Sequence, residues 1–138
     1  SKAKQHYGAL LSIVRTFPGI GKILALTILY EIGDIQRFSN VQKFASYSRL
    51  VKCKAESAGK SYGTSGNKIG NAYLKWAFSE AAVLYLRNND KAKNYLTKLQ
   101  KRMNKAKALS ALAHKIGRCV YFMIRDKRVF DEEKFIKG

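Results

Sequence analysis

The chain has 138 residues, enough for one domain with a hydrophobic core, and its apolar content of 46% excludes wholesale disorder. Its 27 lysines and arginines outnumber its 9 acidic residues, which gives a formal net charge of +18, and no apolar run is long enough to span a bilayer. Because such a charge opposes folding through self-repulsion, we expect a polyanionic partner, with nucleic acid as the first candidate and a membrane surface as the second.

The first predicted unit is a pair of apolar helices joined by a glycine-containing turn at 17–22. The apolar residues of 10–17 share one helical face, and those of 23–29 form a second helix that Gly33 is expected to cap. This pattern resembles a helix-hairpin-helix at about 9–33. In such a hairpin, Gly19 and Gly21 would supply positive φ angles and close backbone approach.

The start of the second helix is the predicted contact with nucleic acid. Its amide groups and its dipole would hold a phosphate, and Lys22 would add a charge to that contact. Such a device binds backbone rather than bases, so it predicts little sequence preference. The alternative is an ordinary turn between two helices.

A loop is predicted at about 50–67, because glycine, serine and threonine crowd there and helix propensity is poor. A short β-hairpin near 50–54 stays open as an alternative. A serine in a basic loop can be a nucleophile where cations such as Lys60 and Lys68 stabilise its alkoxide and the phosphate that it attacks. The residues alone do not single out one serine, since Ser61 and Ser65 fit as well as Ser57.

Helical periodicity returns at about 69 and continues to about 128. The residues expected to cap the helices are Ser39 with Gln42, Asn71 and Asp90. The cations between 91 and 128 are opposed by Asp126 alone, which predicts a positive face that binds nucleic acid. From this face we select Lys98, Arg102, Lys105, Lys115 and Arg118 as candidate contacts. The mixed charges of 129–138 predict a tail.

The cysteines and histidines do not indicate a metal site. Cys53 and Cys119 match no zinc spacing, and His6 and His114 are isolated in the sequence. We therefore assign no metal and no cofactor to the chain itself. A single disulfide between the two cysteines stays open as an alternative, and reduced thiols in a cytoplasmic protein are the expectation.

The motifs taken together resemble one family, the C-terminal domain of the IS-110/116/902 group of insertion-sequence transposases. The resemblance covers most of the chain. It is carried by Pro18-Gly19-Ile20-Gly21, Glu31-Ile32-Gly33-Asp34-Ile35, Arg37-Phe38, Tyr47, Leu50-Val51, Ser57-Ala58-Gly59-Lys60, Lys68-Ile69-Gly70-Asn71, Glu80-Ala81-Ala82, Ala113-His114-Lys115 and Val120-Tyr121-Phe122-Met123. The family usually has glycine where Arg49 stands, proline where Lys52 stands and a second glycine where Ala58 stands.

The resemblance implies a DNA recombinase in which Ser57 attacks DNA and forms a phosphoserine linkage. It further implies an N-terminal nuclease domain that binds Mg²⁺ through acidic residues, an element-encoded guide RNA, homo-oligomers, and a bacterial or archaeal cytoplasm with nucleoid association. Because the chain begins with Ser1 rather than methionine, we expect it to be a fragment that lacks the nuclease domain.

Two other functions remain open from the sequence. One is a non-catalytic helix-hairpin-helix module that holds nucleic acid, with Ser57 inert. The other is a structural RNA-binding protein, which the net charge alone would allow. In either case we expect a single, mainly helical domain over 1–138 with no membrane partner, since no cationic helix carries a wide apolar face.

Overall fold

The computed structural model describes residues 2–51 and 70–137, with side chains from residue 5 onward, and these residues fold into helices joined by short turns. The elements are α1 (Lys2–Val14), α2 (Lys22–Ile32), a 3₁₀ turn (Ile35–Arg37), α3 (Val41–Tyr47), α4 (Ala72–Leu86), α5 (Asp90–Gln100), α6 (Lys105–Asp126) and α7 (Glu132–Lys137). No strand occurs in these ranges. The prediction of a mainly helical domain is therefore confirmed.

Helix α4 lies at the centre of the packing, against α2 on one side and α6 on the other. Its buried face presents the small side chains of Ala77, Ala81 and Ala82, which allow neighbouring helices to approach closely. The facing side of α6 buries Leu112, Ile116 and other apolar residues at helical spacing. The helical periodicity of the sequence thus produces the core directly.

Helices α2 and α4 run antiparallel, and a contact at each end fixes their relative position. At one end Gly19, just before α2, lies against the backbone of Leu84 and Tyr85 in the last turn of α4. At the other end Glu31, in the last turn of α2, accepts a hydrogen bond from Asn71, the cap of α4. The two ends of this helix pair hold the hairpin glycines and the Asn71 cap, whereas the candidate cations between 91 and 128 lie on or beside α5 and α6.

Residues 129–137 are more than the tail that the mixed charges of 129–138 predicted. Phe130 and Phe135 pack on Phe17, with ring centroids 4.4 and 5.4 Å away, and Phe135 lies on the short helix α7. The Tyr85 hydroxyl donates a hydrogen bond to Glu132 at 3.1 Å. Two aromatic side chains therefore anchor this segment to the core, although its charge pattern alone predicts that it is solvated.

Asparagine side chains cap most of the described helices. Asn71 caps α4 as predicted, by accepting a hydrogen bond from the Leu74 amide at 2.9 Å. The other two predicted caps were wrong by one residue, because Asn40 rather than Ser39 caps α3 and Asn89 rather than Asp90 caps α5. Asparagine, serine and aspartate have similar capping propensities, so the geometry of the preceding turn decides which of two adjacent residues caps the helix.

The structure separates the roles of the two hairpin glycines. Gly19 has φ +100°, and a Cβ atom there would lie 2.7 Å from the Tyr85 amide nitrogen, so both predicted needs for glycine are met. Gly21 meets neither, because its φ is −85° and a Cβ atom would find no other atom within 4 Å. Gly21 instead occupies the N-cap position of α2.

We therefore expect Gly19→Ala to lower the free energy of unfolding by about 3 kcal/mol, through backbone strain and collision with α4. The matched change Gly21→Ala should cost less than about 1 kcal/mol, because the added methyl group projects into open space. Urea unfolding of both variants measures the difference. Equal costs at the two positions would contradict the close packing of the hairpin against α4.

Candidate nucleic-acid interface

The N-terminal end of α2 is open. Its cap residue, Gly21, makes no side-chain hydrogen bond to the first-turn amides, whereas asparagine side chains make such bonds in α3, α4, α5 and α6. The first turn of α2 also lacks an acidic residue. The unpaired amides and the positive end of the helix dipole at Lys22 are therefore available to an anion.

A groove of about 480 Å³ adjoins this open end, and two arginines line it. Arg15 follows the end of α1 and Arg87 follows the end of α4, and both side chains are exposed. Residues 17–21 form the rest of the lining together with Leu84 and Asn88. The groove therefore combines uncapped amides with two guanidinium groups, the usual set of donors for a phosphate.

Sequence reasoning missed both arginines of this groove. They lie far apart in the chain, and only the antiparallel packing of α2 on α4 brings them to the same hairpin. The signal in the sequence was that each arginine directly follows the last residue of a helix, α1 for Arg15 and α4 for Arg87. Gly19, Gly21 and Lys22 were predicted here and do lie at this groove or at its edge.

The predicted cations of the later helices spread over several surfaces. Arg102 and Lys105 are exposed on either side of the turn between α5 and α6. Lys98 lines a groove between α5 and α7 that also contains Lys91 and Lys137. These side chains are exposed, but the structure does not gather them into one pocket.

Lys115 and Arg118 share a different groove, of about 300 Å³, between α6 and α7. The Lys115 ammonium lies 5.4 Å from the ring centroid of Tyr95 and 5.2 Å from that of Phe135. It therefore already makes cation–π interactions with two aromatic rings. Arg118 is exposed. Of these two candidates, Arg118 is therefore the more available to a phosphate.

Four residues from separate parts of the chain form a polar clamp, namely Glu31, Arg37, Tyr47 and Asn71. The Asn71 side-chain amide donates to Glu31 Oε1 at 2.8 Å and to the Tyr47 hydroxyl at 3.4 Å. The Arg37 guanidinium lies 4.7 Å from the centre of the Tyr47 ring. Hydrogen bonds from Asn71 and then from Arg37 lower the pKa of Tyr47 below its ordinary value.

The clamp joins residues before position 51 to residues after position 70. The Asn71 amide donates to the Tyr47 carbonyl at 2.6 Å and connects these two parts of the chain. Gly70 has φ +104°, and a Cβ atom there would lie 2.9 Å from the Tyr47 carbonyl oxygen. Arg49 also has a positive φ, 57°, which accounts for the glycine usual at that position in the family that the sequence resembles.

Several predicted features lie outside the described residues. They are the candidate nucleophile Ser57, the cations Lys60 and Lys68, Cys53, and most of the loop at about 50–67 with its alternative β-hairpin. Within the described ranges, no three histidine, cysteine or acidic side chains are grouped to hold a metal ion. In the same ranges no helix is long and apolar enough to cross a membrane.

The described residues form a small helical domain with an open hairpin and many exposed cations, and comparison with known proteins identifies its family. Residues 11–97 match the transposase IS116/IS110/IS902 family. The chain belongs to this family, as its motifs predicted.

Two relatives illustrate the similarity. An insertion element IS116 uncharacterized 44.8 kDa protein of Streptomyces clavuligerus is 25% identical over 119 residues, which cover 86% of this chain and 30% of that protein. A transposase for insertion sequence element IS1111A of Coxiella burnetii is 26% identical over 121 residues, or 85% of this chain and 33% of that protein. The chain thus spans about a third of the length of either relative. No solved structure matches it.

The polar clamp predicts an unusual tyrosine titration. Because Asn71 and Arg37 stabilise the phenolate, Tyr47 should ionise below the ordinary pKa of about 10, and its ionised form should favour the folded state at alkaline pH. NMR titration of ¹³C-labelled tyrosine rings, assigned with Tyr47→Phe, measures this pKa. Asn71→Ser keeps a capping side chain but removes the amide donor, so it should raise the pKa of Tyr47. An unchanged pKa in that variant would contradict the hydrogen bond.

Proposed function

We propose that this chain is the DNA-holding and serine-bearing part of a transposase, and that Ser57 is the nucleophile for strand exchange. The observation that carries the DNA-holding part is the open end of α2 beside Arg15 and Arg87, in a chain of net charge +18. Membership of the transposase family supports DNA as the polyanion. The resemblance of Ser57-Ala58-Gly59-Lys60 to the family's serine motif supports the nucleophile.

The hairpin is suited to the phosphate backbone and not to bases. Backbone amides, a helix dipole and guanidinium groups recognise phosphate oxygens, which are the same in every sequence. A grip of this kind holds DNA in register while leaving the choice of sequence to another component. A guide RNA, as the family resemblance implies, would supply that choice, and the exposed cations Lys98, Arg102, Lys105 and Arg118 offer it further contacts.

The proposed chemistry is an exchange of one phosphodiester oxygen for another. The Ser57 Oγ–H bond breaks, Oγ bonds to phosphorus, and one bridging P–O bond breaks. The departing strand oxygen takes up a proton as a hydroxyl group, so the phosphodiester count is conserved. Cations beside the phosphate stabilise the charge that develops in this step, and we propose Lys60 and Lys68 for this role.

Magnesium belongs elsewhere in this proposal. In the described residues, no three acidic, histidine or cysteine side chains are grouped together. We place the metal in a separate nuclease domain of the same polypeptide and route no step of this chain through it. Homo-oligomers would bring such domains together at one DNA site.

The DNA grip makes a prediction about salt and sequence. If about six phosphates are neutralised, the affinity for duplex DNA should fall with salt at a log–log slope near −5, equally for unrelated sequences. Arg15→Gln and Arg87→Gln should each reduce the slope by about 1, whereas Lys43→Gln, on α3 and outside the groove, should not. Fluorescence anisotropy across a salt series measures this, with duplex RNA as the comparison that tests an RNA-binding function.

Gly21→Val provides a second arm of the same experiment. The extended backbone of Gly21 accepts a β-branched residue, so the fold should survive while the side chain obstructs the amides of α2. Gly8→Val is the matched control, since Gly8 is likewise surrounded by open space but lies within α1. Equal loss of affinity in both variants, or a loss confined to one DNA sequence, would contradict backbone binding at the hairpin.

The serine is tested by trapping its covalent product. The full-length gene product, incubated with its element DNA, guide RNA and Mg²⁺, should form a protein–DNA adduct that survives denaturant. Ser57→Ala should abolish this adduct and spare DNA binding, while Ser61→Ala should retain it. Recombination without any adduct, or an adduct that persists in Ser57→Ala, would remove the nucleophile from this proposal and leave a binding module.

A further inference from the structure

We propose that the polar clamp positions the chain between 51 and 70 for the serine chemistry, with Glu31 and Asn71 as the positioning residues. This inference rests on the proposed function above, because it assigns a role relative to the segment that carries Ser57. The clamp touches neither substrate nor reacting atoms. Its role is to fix where that segment begins and ends relative to the α2–α4 pair.

The clamp contains residues from both sides of the segment. Asn71 lies one residue after Gly70, and Tyr47 lies four residues before Val51. Between them the Asn71 amide donates to the Tyr47 carbonyl at 2.6 Å, and the Lys75 ammonium donates to the Arg49 carbonyl at 3.4 Å. Hydrogen bonds between residues just before the segment and residues just after it therefore hold these two parts of the chain together.

Asn71 forms more hydrogen bonds than capping requires. Its Oδ1 atom accepts the hydrogen bond from the Leu74 amide and completes the cap of α4, a task that aspartate or serine performs equally well. Its Nδ2 group is free of that task and donates to Glu31 at 2.8 Å and to Tyr47 at 3.4 Å. Asparagine supplies separate atoms for the two tasks, an oxygen that accepts from the helix and an NH₂ group that donates to a carboxylate.

Glu31 lies in the last turn of α2, whose other end is fixed against α4 by Gly19. The hydrogen bond between Asn71 and Glu31 therefore connects the chain just after the segment to α2. The other end of α2 is held against α4. Glu31 is half-buried, and its carboxylate accepts the hydrogen bond from Asn71 at 2.8 Å, so it has a defined donor.

A charge exchange between the two positions tests this role. Asn71→Asp keeps the cap but places a second carboxylate against Glu31, which removes the donor and introduces repulsion. Glu31→Gln keeps an acceptor for Asn71 and should behave nearly as the unaltered protein does. In the double variant Glu31→Gln/Asn71→Asp the donor and acceptor are exchanged, so the hydrogen bond and the cap both return.

Two quantities are measured in the full-length gene product, with melting temperature and DNA affinity alongside. The first is the rate of formation of the Ser57-dependent adduct, which should fall roughly 10- to 100-fold in Asn71→Asp and recover in the double variant. The second is the ratio of tryptic cleavage after Lys60 and Lys68 to cleavage after Lys101. This ratio should rise on the order of 5-fold in Asn71→Asp and return to its original value in the double variant. DNA affinity should be unchanged throughout.

The results separate a positioning role from simple stabilisation. An adduct rate and cleavage ratio in Asn71→Asp equal to those of the unaltered protein would overturn the inference. So would losses that follow the melting temperature alone, or a double variant that regains its melting temperature without regaining either quantity. If the unaltered protein forms no adduct, the serine proposal fails by itself, and the cleavage ratio still decides whether the clamp constrains the segment.

Discussion

The antiparallel packing of α2 on α4 is the constraint on which the rest of the structure depends. At one end, Gly19 brings the hairpin against the backbone of Leu84 and Tyr85. At the other, Asn71 bonds to Glu31. Because α4 has 15 residues and a rise of about 1.5 Å per residue, the two ends lie about 20 Å apart. One rigid pair of helices thus separates a candidate phosphate grip from the polar clamp.

The charge of the chain and the packing of its core have opposite effects on stability. A net charge of +18 favours expansion, and the ion pair between Arg125 and Asp126 neutralises little of it. The aromatic cluster around Phe17, which includes Tyr85, Phe130 and Phe135, holds the first turn, α4 and the C-terminal helix together against that repulsion. Bound DNA would relieve the repulsion, so binding and stability should rise together.

The sequence predicted the helices because apolar periodicity and helix breakers act locally. It predicted Gly19 for the same reason, since its role belongs to a short turn. Arg15 and Arg87 escaped prediction because a groove is formed by packing, and charge alone does not mark which exposed arginines converge. The clamp escaped for a related reason: Glu31, Tyr47 and Asn71 each read as an isolated motif residue, and only the folded chain shows that they share hydrogen bonds.

The central claim is that the hairpin end of the α2–α4 pair binds the phosphate backbone. NMR spectroscopy of the ¹⁵N-labelled chain, titrated with two duplexes of unrelated sequence, tests it most directly. The account predicts that the backbone amides of Lys22, Ile23 and Leu24 and the Nε–H groups of Arg15 and Arg87 shift alike with both duplexes. It would be contradicted if these signals stayed unchanged while DNA bound and only residues of the α6–α7 groove shifted.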